Sequence, residues 1–324
     1  METSSAPGKV FLFGEHAVVY GEPAVVCAID RRVTVAAETT DNTRDSIHAD
    51  ADTNLPVSEI QAEYDGDTTF LTGETDGFGY IETAIDRARE EVGSDERLEI
   101  EIESELPIGA GLGSSAAVVV ATVDAVTREL GVELDPGRIA EIGHDVEKEV
   151  QGAASPADTF TSAMGGVTYV EPDEELTSLE ADEFSDERLV VGYDGDSAPT
   201  GEMVEGVRRL REESDVAARV VESIGDLTRE GVDAVTRGDI GETGDLMNLN
   251  HGLLEALGVG SSSLSRMVWA ARDSGAEGAK ITGAGGGGCV VAVPGDDPET
   301  VAAGTEIESE RVFEVTVSDG VRRE

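Results

Sequence analysis

The stretch Pro107–Ala117, PIGAGLGSSAA, sets glycines at 109, 111 and 113 ahead of two serines and an apolar run. With side chains nearly absent, backbone N–H groups can approach an anion closely. A helix opening near Ser114 adds its unsatisfied donors and the positive end of its dipole. The pattern predicts a phosphate cradle, and with it a nucleotide or phosphoester ligand. It is not a Walker loop, which needs a lysine and then Ser or Thr after the last glycine, and it is not the GxGxxG of a dinucleotide fold. Upstream, Leu98 to Ile102 alternates like a strand, and downstream the apolar run carries a helix from about Ser114 to Leu130. The order is strand, loop, helix.

Outward from this loop, the charge balance is extreme. The 324 residues hold 69 acidic side chains against 23 basic ones, for a net charge of -46 and a pI near 4.1. Hydrophobic residues still make up 39% and the carboxylates are spread along the chain, so the sequence predicts a folded protein rather than an acidic tail. Nucleic acid and anionic membranes are excluded as partners. The composition predicts adaptation to concentrated salt, where a Debye length of about 3 Å at 1 M screens the repulsion. The three lysines are Lys9, Lys148 and Lys280; two of them, Lys9 after Pro7-Gly8 and Lys280 before Gly283, stand beside glycine-rich segments, while Lys148 reads as a surface residue. Cys27 and Cys289 lie in apolar surroundings without CxxC spacing, which predicts buried thiols and neither zinc nor a disulfide framework. No signal peptide or membrane span is visible, which predicts a cytoplasmic protein.

Short strands are expected at Val10–Phe13, Ala24–Ile29 and Val33–Ala37, with turns at Gly14 and Gly21-Glu22-Pro23. Residues 39–77 are acidic and polar, an irregular excursion with weak strands. Helices are expected over Ile81–Val92 and Pro136–Val150, a strand from Gly165-Gly166 through Val170, and a connector over Glu171–Arg188 that divides the chain. The second half predicts a strand at Leu189–Tyr193 and a core stripe through Val216, Val220, Ile224 and Leu227. It continues with a helix at Leu264–Ala271 and strands at Cys289–Val293 and Val312–Val317. The run Gly283–Gly288 formally contains GxGxxG, but it is expected to follow a helix and lead into a strand, the reverse of a dinucleotide site. It is expected to pack on the phosphate loop and close the site, with a plain tight turn as the alternative.

Three segments together, APGKVFLFGEHAVVYG (6–21), PIGAGLGSSAA and KITGAGGGGC (280–289), resemble the GHMP small-molecule kinases in order and spacing. GEHAVVYG and MNLNHGLLEAL (247–257) are similar to the mevalonate kinase branch. The resemblance implies an α+β fold of two domains. Residues 1–180 would form an N-terminal domain like domain 2 of ribosomal protein S5, and residues 181–324 a ferredoxin-like C-terminal domain with its glycine-rich loop at 282–288. It implies ATP as donor, mevalonate as acceptor and Mg2+ as cofactor, and leaves open whether the chain is a homodimer.

Phosphoryl transfer needs a cradle, a metal site and a group that orients the attacking hydroxyl. The cradle is expected from Pro107, Gly109, Ala110, Gly111, Leu112, Gly113, Ser114, Ser115, Ala116 and Ala117. Ser115 is a candidate metal ligand, although Ser114 and Ser115 also suit plain helix capping. Composition cannot pick one among 69 carboxylates; the resemblance assigns Glu147 to the metal, with Glu149 as its solvated neighbour. It also implies that Asp158 in GAASPADT stands beside the substrate hydroxyl with Lys9 as its partner, a turn-capping aspartate being the plainer alternative. Pro156 and Thr159 depart from the family's usual pattern there. Glu15, His16 and Thr200 are implied substrate contacts. Rival readings are a phosphomevalonate or sugar kinase, separated by a substrate panel, and a sensor without turnover, disfavoured by Lys9, Glu147 and Asp158 together. An NAD-dependent oxidoreductase is disfavoured by both glycine loops.

Overall fold

In the computed structural model, the described residues are 1–42, 45–51, 60–64, 69–72, 78–107, 109–152, 155–171, 176–196 and 199–324. Ile108 of the cradle, Ala153 and Ala154 of GAASPADT, Pro172 of the connector and Ala198 ahead of Thr200 lie outside them, as do parts of the 39–77 excursion.

The first half runs β1 (Glu2–Phe13), β2 (Ala24–Thr40), β3 (Asp45–Ala51), β4 (Ile60–Tyr64), β5 (Thr69–Thr72), α1 (Phe78–Val92), β6 (Arg97–Ser104), α2 (Ser114–Glu129), α3 (Pro136–Gln151), α4 (Pro156–Met164), β7 (Val167–Val170) and β8 (Thr177–Leu179). The second runs α5 (Asp182–Ser185), β9 (Arg188–Tyr193), α6 (Thr200–Glu213), α7 (Asp215–Thr236), α8 (Ile240–Ala256), α9 (Ser262–Asp273), β10 (Gly278–Thr282), β11 (Cys289–Val293), α10 (Pro298–Glu306), β12 (Arg311–Thr316) and β13 (Arg322–Arg323). One sheet has the order β13-β1-β2-β6-β3-β4-β5, with β7 and β8 branching from β2; the other is β10-β11-β9-β12. Only the β3–β6 pair is parallel among the described ladders. The expected α+β fold stands. We propose 180/181 as the division between the halves, since the strands change sheets there, although β13 returns to the first sheet. Among the described residues no helix is long and apolar enough to cross a membrane.

Several elements differ from expectation for physical reasons. β1 begins at residue 2 because its polar start is buried by design: Ser4 Oγ donates to Asp124 at 2.6 Å and Ser5 Oγ to Glu324. Hydropathy does not register such positions. β2 is one 17-residue strand rather than two, running through Arg32 because that guanidinium is fully housed. Arg32 donates to Ser5 Oγ, Ser5 O, Ser318 Oγ, Asp319 O and Gly320 O. In α7 the expected Ile224 and Leu227 are buried and Val220 packs half-buried against the core, but Val216 is 61% exposed, and Ala217, Val221 and Thr228 complete the buried face. Small residues set that face: a Cβ on Gly231 would lie 2.6 Å from the Phe13 ring. The run Gly283–Gly288 follows strand β10, not a helix, and so joins two antiparallel neighbours. Asp158, for which a turn-capping role was the plainer alternative, stands in the first turn of helix α4, and Ser155 is the cap.

The tail held by Arg32 also buttresses α4. Gly165, at its C-terminal end, bridges to Asp319, and Val321 N–H donates to Ala163 O at 3.1 Å. Replacing Arg32 by Met orphans several buried acceptors. It is expected to lower stability by about 3 kcal/mol or more in chemical denaturation; a loss under about 1 kcal/mol would mean that solvent already reaches this cluster.

Candidate active site

A cavity of 610 Å³ opens where β1, the cradle, α4, α6 and the glycine run Gly283–Gly288 converge. Its floor starts at Lys9. Lys9 N–H donates to Leu112 O at 2.8 Å, and its Nζ donates to Gly111 O at 3.2 Å and sits 4.6 Å from the Phe11 ring centroid. The cradle is thereby tied to β1 by one residue from two directions. Gly113 caps α2 at φ 75°, and a Cβ there would lie 2.9 Å from Lys9 Cγ, so both backbone angle and space call for glycine.

Of the ten residues expected in the cradle, Gly109, Gly111, Gly113, Ser114 and Ser115 line the cavity. Pro107, Ala110, Leu112, Ala116 and Ala117 are buried behind them and set the loop's path. The glycine run closes over this loop. A Cβ on Gly283 would lie 3.3 Å from Gly111, and one on Gly288 would lie 2.8 Å from Ala110 O. Phe11 N–H donates to Thr282 Oγ1 at 2.8 Å, pinning the run's leading edge to β1.

Lys9 Nζ lies 3.3 Å from Asp158 Oδ2. The other carboxylate oxygen, Oδ1, is buried without a hydrogen-bond partner. A buried polar oxygen left so is costly unless a donor arrives, so the cavity presents an acceptor beside the Lys9 ammonium. Glu147 comes from α3, is 3% exposed, and accepts from Ser115 Oγ at 3.0 Å. Burial first, and the charge of Asp158 second, push its carboxyl up to about 7, against the opposing pull of Ser115 and Lys9. Glu149 points elsewhere and pairs with exposed Arg87 at 2.6 Å.

Glu15 lines the cavity, yet both its oxygens are engaged within the protein. Asn250 Nδ2 donates to Oε2 at 3.1 Å, and Lys280 Nζ donates to Oε1. Lys280 also donates to Phe11 O at 3.3 Å and Ile281 O at 2.7 Å, which uses all three ammonium protons. Both charges are buried, Lys280 at 0% and Glu15 at 2% exposure. Burial raises the Glu15 carboxyl and lowers the Lys280 ammonium, each opposed by its partner's charge. His16 follows at φ 61°, in the left-handed region despite its side chain. Its Nε2 lies 2.9 Å from Ala284 O, a pure acceptor, so Nε2 carries the proton. Burial lowers the ring's pKa and keeps it neutral, which leaves Nδ1 a buried acceptor without a partner. Thr200, the first residue of α6, is exposed on the cavity wall.

Residues 79–166 match the model for the GHMP kinases N terminal domain, and residues 232–306 that for the GHMP kinases C terminal. The chain is 42% identical over 315 residues to the mevalonate kinase of Thermococcus sibiricus, covering 94% of this chain and 92% of the relative. It is 43% identical over 313 residues to that of Pyrococcus abyssi, covering 93% and 91%. The chain belongs to the GHMP kinases, in the mevalonate kinase group. The fold agrees. The solved Methanococcus jannaschii mevalonate kinase superposes with a TM-score of 0.81 at 29% identity, covering 98% of each chain. A Leishmania major mevalonate kinase solved with R-mevalonate gives 0.82 at 23% identity, over 98% of this chain and 96% of that one, a likeness of fold.

Two residues at or behind the cavity are not marked by the sequence: Asn250, which holds Glu15, and Arg208, which lines the wall. Asn250 sits inside the quoted run MNLNHGLLEAL, but nothing local marks which of its polar residues turns inward. Arg208 lies at i+8 from Thr200 on α6, a helical spacing that puts both on one face. Replacing Lys280 by Met leaves Glu15 buried and unpaired. We expect a loss of about 3–5 kcal/mol in chemical denaturation, with more than half regained when Glu15→Gln is added. A Lys280→Met protein within about 1 kcal/mol of wild type would mean that water reaches the pair.

Proposed function

We propose that the chain transfers the γ-phosphoryl group of ATP to the primary hydroxyl of mevalonate, forming 5-phosphomevalonate for isoprenoid synthesis. The observation that carries this is the Asp158 carboxylate, held at Oδ2 by Lys9 and left open at Oδ1 on a cavity walled by two glycine loops. A substrate hydroxyl donating to Oδ1 has its lone pair turned toward the cradle. Lys9, 3.3 Å from Oδ2, offers positive charge where the phosphoryl group passes. Because the transition state is loose, orientation accounts for most of what Asp158 contributes, and the hydroxyl proton ends on Oδ1. The backbone donors at Gly109 to Ser114 hold the nucleotide's phosphates.

Mg2+ takes one or two protein oxygens, and the adjacent Ser115 hydroxyl and buried Glu147 carboxyl fit that demand as a donor set. When bound, the ion neutralises charge on the β- and γ-phosphates. The neutral His16, with Nδ1 open, accepts from a substrate hydroxyl, and Thr200 adds a donor on the facing wall. Glu15 acts through Lys280 and Asn250 by holding the turn on which His16 sits.

The net charge of -46 supports a cytoplasm of concentrated salt, such as that of a halophilic archaeon. The protein is expected to lose structure below roughly molar salt, where screening fades; a circular dichroism spectrum unchanged in dilute buffer would refute this adaptation.

ADP release measured in concentrated potassium chloride with mevalonate, phosphomevalonate and galactose tests the substrate. Turnover on mevalonate alone is expected, with kcat lowered by about 10²- to 10⁴-fold in Asp158→Asn. Turnover on another alcohol would overturn the substrate, and a folded protein idle on all three would overturn the enzyme reading.

A further inference from the structure

α6 presents Thr200, Val204 and Arg208 to the cavity at i, i+4 and i+8, one face of the helix. The face is held in place from the substrate side. Tyr20, in the 3-10 turn Ala17–Tyr20 that follows His16, donates its hydroxyl to Val204 O at 3.4 Å, and Arg211 lies 4.8 Å from the Tyr20 ring centroid. Among the described residues lining the cavity, the lysines and arginines are Lys9 and Arg208. Lys9 is committed to Asp158 and Gly111.

Arg208 differs in its commitments. Its Nη1 pairs with Glu205 at 3.0 Å, one turn back on the same helix, with both side chains about half exposed. Such an exposed pair is worth little and exchanges readily for a better one. The acidic groups lining the cavity have partners elsewhere: Glu15 with Lys280, Glu147 with Ser115, Asp158 with Lys9, and Glu171 with the Tyr169 hydroxyl at 3.1 Å. None of them claims the guanidinium. The rest of that wall is apolar, with Val18, Val19, Val170 and Leu176 beside Val204.

We propose that Arg208 binds the carboxylate of the hydroxy-acid substrate and makes the enzyme select acids over neutral alcohols. The proposal rests on the mevalonate reading above. A protein of net charge -46 has no long-range attraction for an anion, and molar salt would erase one anyway. A charge-assisted contact at hydrogen-bond range survives both conditions, and a guanidinium fork matches a carboxylate. The apolar wall takes the substrate's methyl and methylene groups, while Lys9 and Asp158 take the hydroxyl at the other end.

The test compares wild type with Arg208→Gln and Arg208→Lys on mevalonate and on 3-methylpentane-1,3,5-triol, its uncharged counterpart with a hydroxymethyl group in place of the carboxylate. Expected is a KM for mevalonate raised about 10- to 100-fold in Arg208→Gln, with partial recovery in Arg208→Lys. The KM for the triol and for ATP should stay within about twofold. Parallel increases for acid and triol would make Arg208 a shaping residue only and overturn the proposal, as would an unchanged KM for mevalonate. Wild type that phosphorylates the triol as readily as the acid overturns it while leaving the kinase reading intact. Wild type idle on both overturns the substrate reading and this proposal with it.

Discussion

A buried ion pair between Glu15 and Lys280 holds the two halves of this protein in one geometry. Glu15 stands just after the first strand of the large sheet, Lys280 lies in the edge strand of the small one, and the ammonium also binds Phe11 O and Ile281 O. Such a pair is expensive to bury and gives little net stability over an apolar contact, but it permits few alternative arrangements. Its effect here is positional. The same contact fixes the turn carrying His16 and the strand that launches the run Gly283–Gly288, so the substrate wall and the loop over the cradle are set together.

Around that clasp the site is built mainly from backbone. Gly113 makes room for Lys9, Gly283 makes room for Gly111, and the two glycine loops approach each other at distances that side chains would forbid. A reaction with a loose transition state asks for placement and charge more than for covalent help, and this construction supplies both. The titratable side chains that remain are few and differ in environment. Asp158 is paired with a cation and keeps one open oxygen, whereas burial, and the charge of Asp158 beside it, push the Glu147 carboxyl up. On the proposed reading the two carboxylates do different work, Asp158 for the hydroxyl and Glu147 for the metal that balances the nucleotide's charge.

Much of this was legible in the sequence, for identifiable reasons. The cradle showed itself because glycine spacing reports backbone demand directly, and Lys9 stood out because the chain spends lysine so sparingly. The extent of the first strand did not show, because its inward residues are serines satisfied by Asp124 and Glu324 across long sequence separations. Nor did the break expected after Ile29 occur, since Arg32 finds its acceptors nearly 300 residues away in the C-terminal tail. The core stripe of α7 was legible at Ile224 and Leu227 but not at its start, where Ala217, too small to weigh in a hydropathy pattern, turns inward in place of Val216. Glu15, expected beside the substrate, lines the cavity with its oxygens bonded to Lys280 and Asn250, partners that only the folded chain brings near.

The central claim is that the Lys9 and Asp158 end of the cavity receives a primary hydroxyl and the phosphoryl group passes to it. Phosphorus NMR with proton coupling, on the product made from ATP and mevalonate in concentrated potassium chloride, tests this most directly. The account predicts a single phosphomonoester whose phosphorus couples to the two protons of the substrate's terminal CH2–O group. An acyl phosphate on the carboxylate, or an ester on the tertiary hydroxyl, would contradict it, because either would require the substrate to lie the other way round in the cavity.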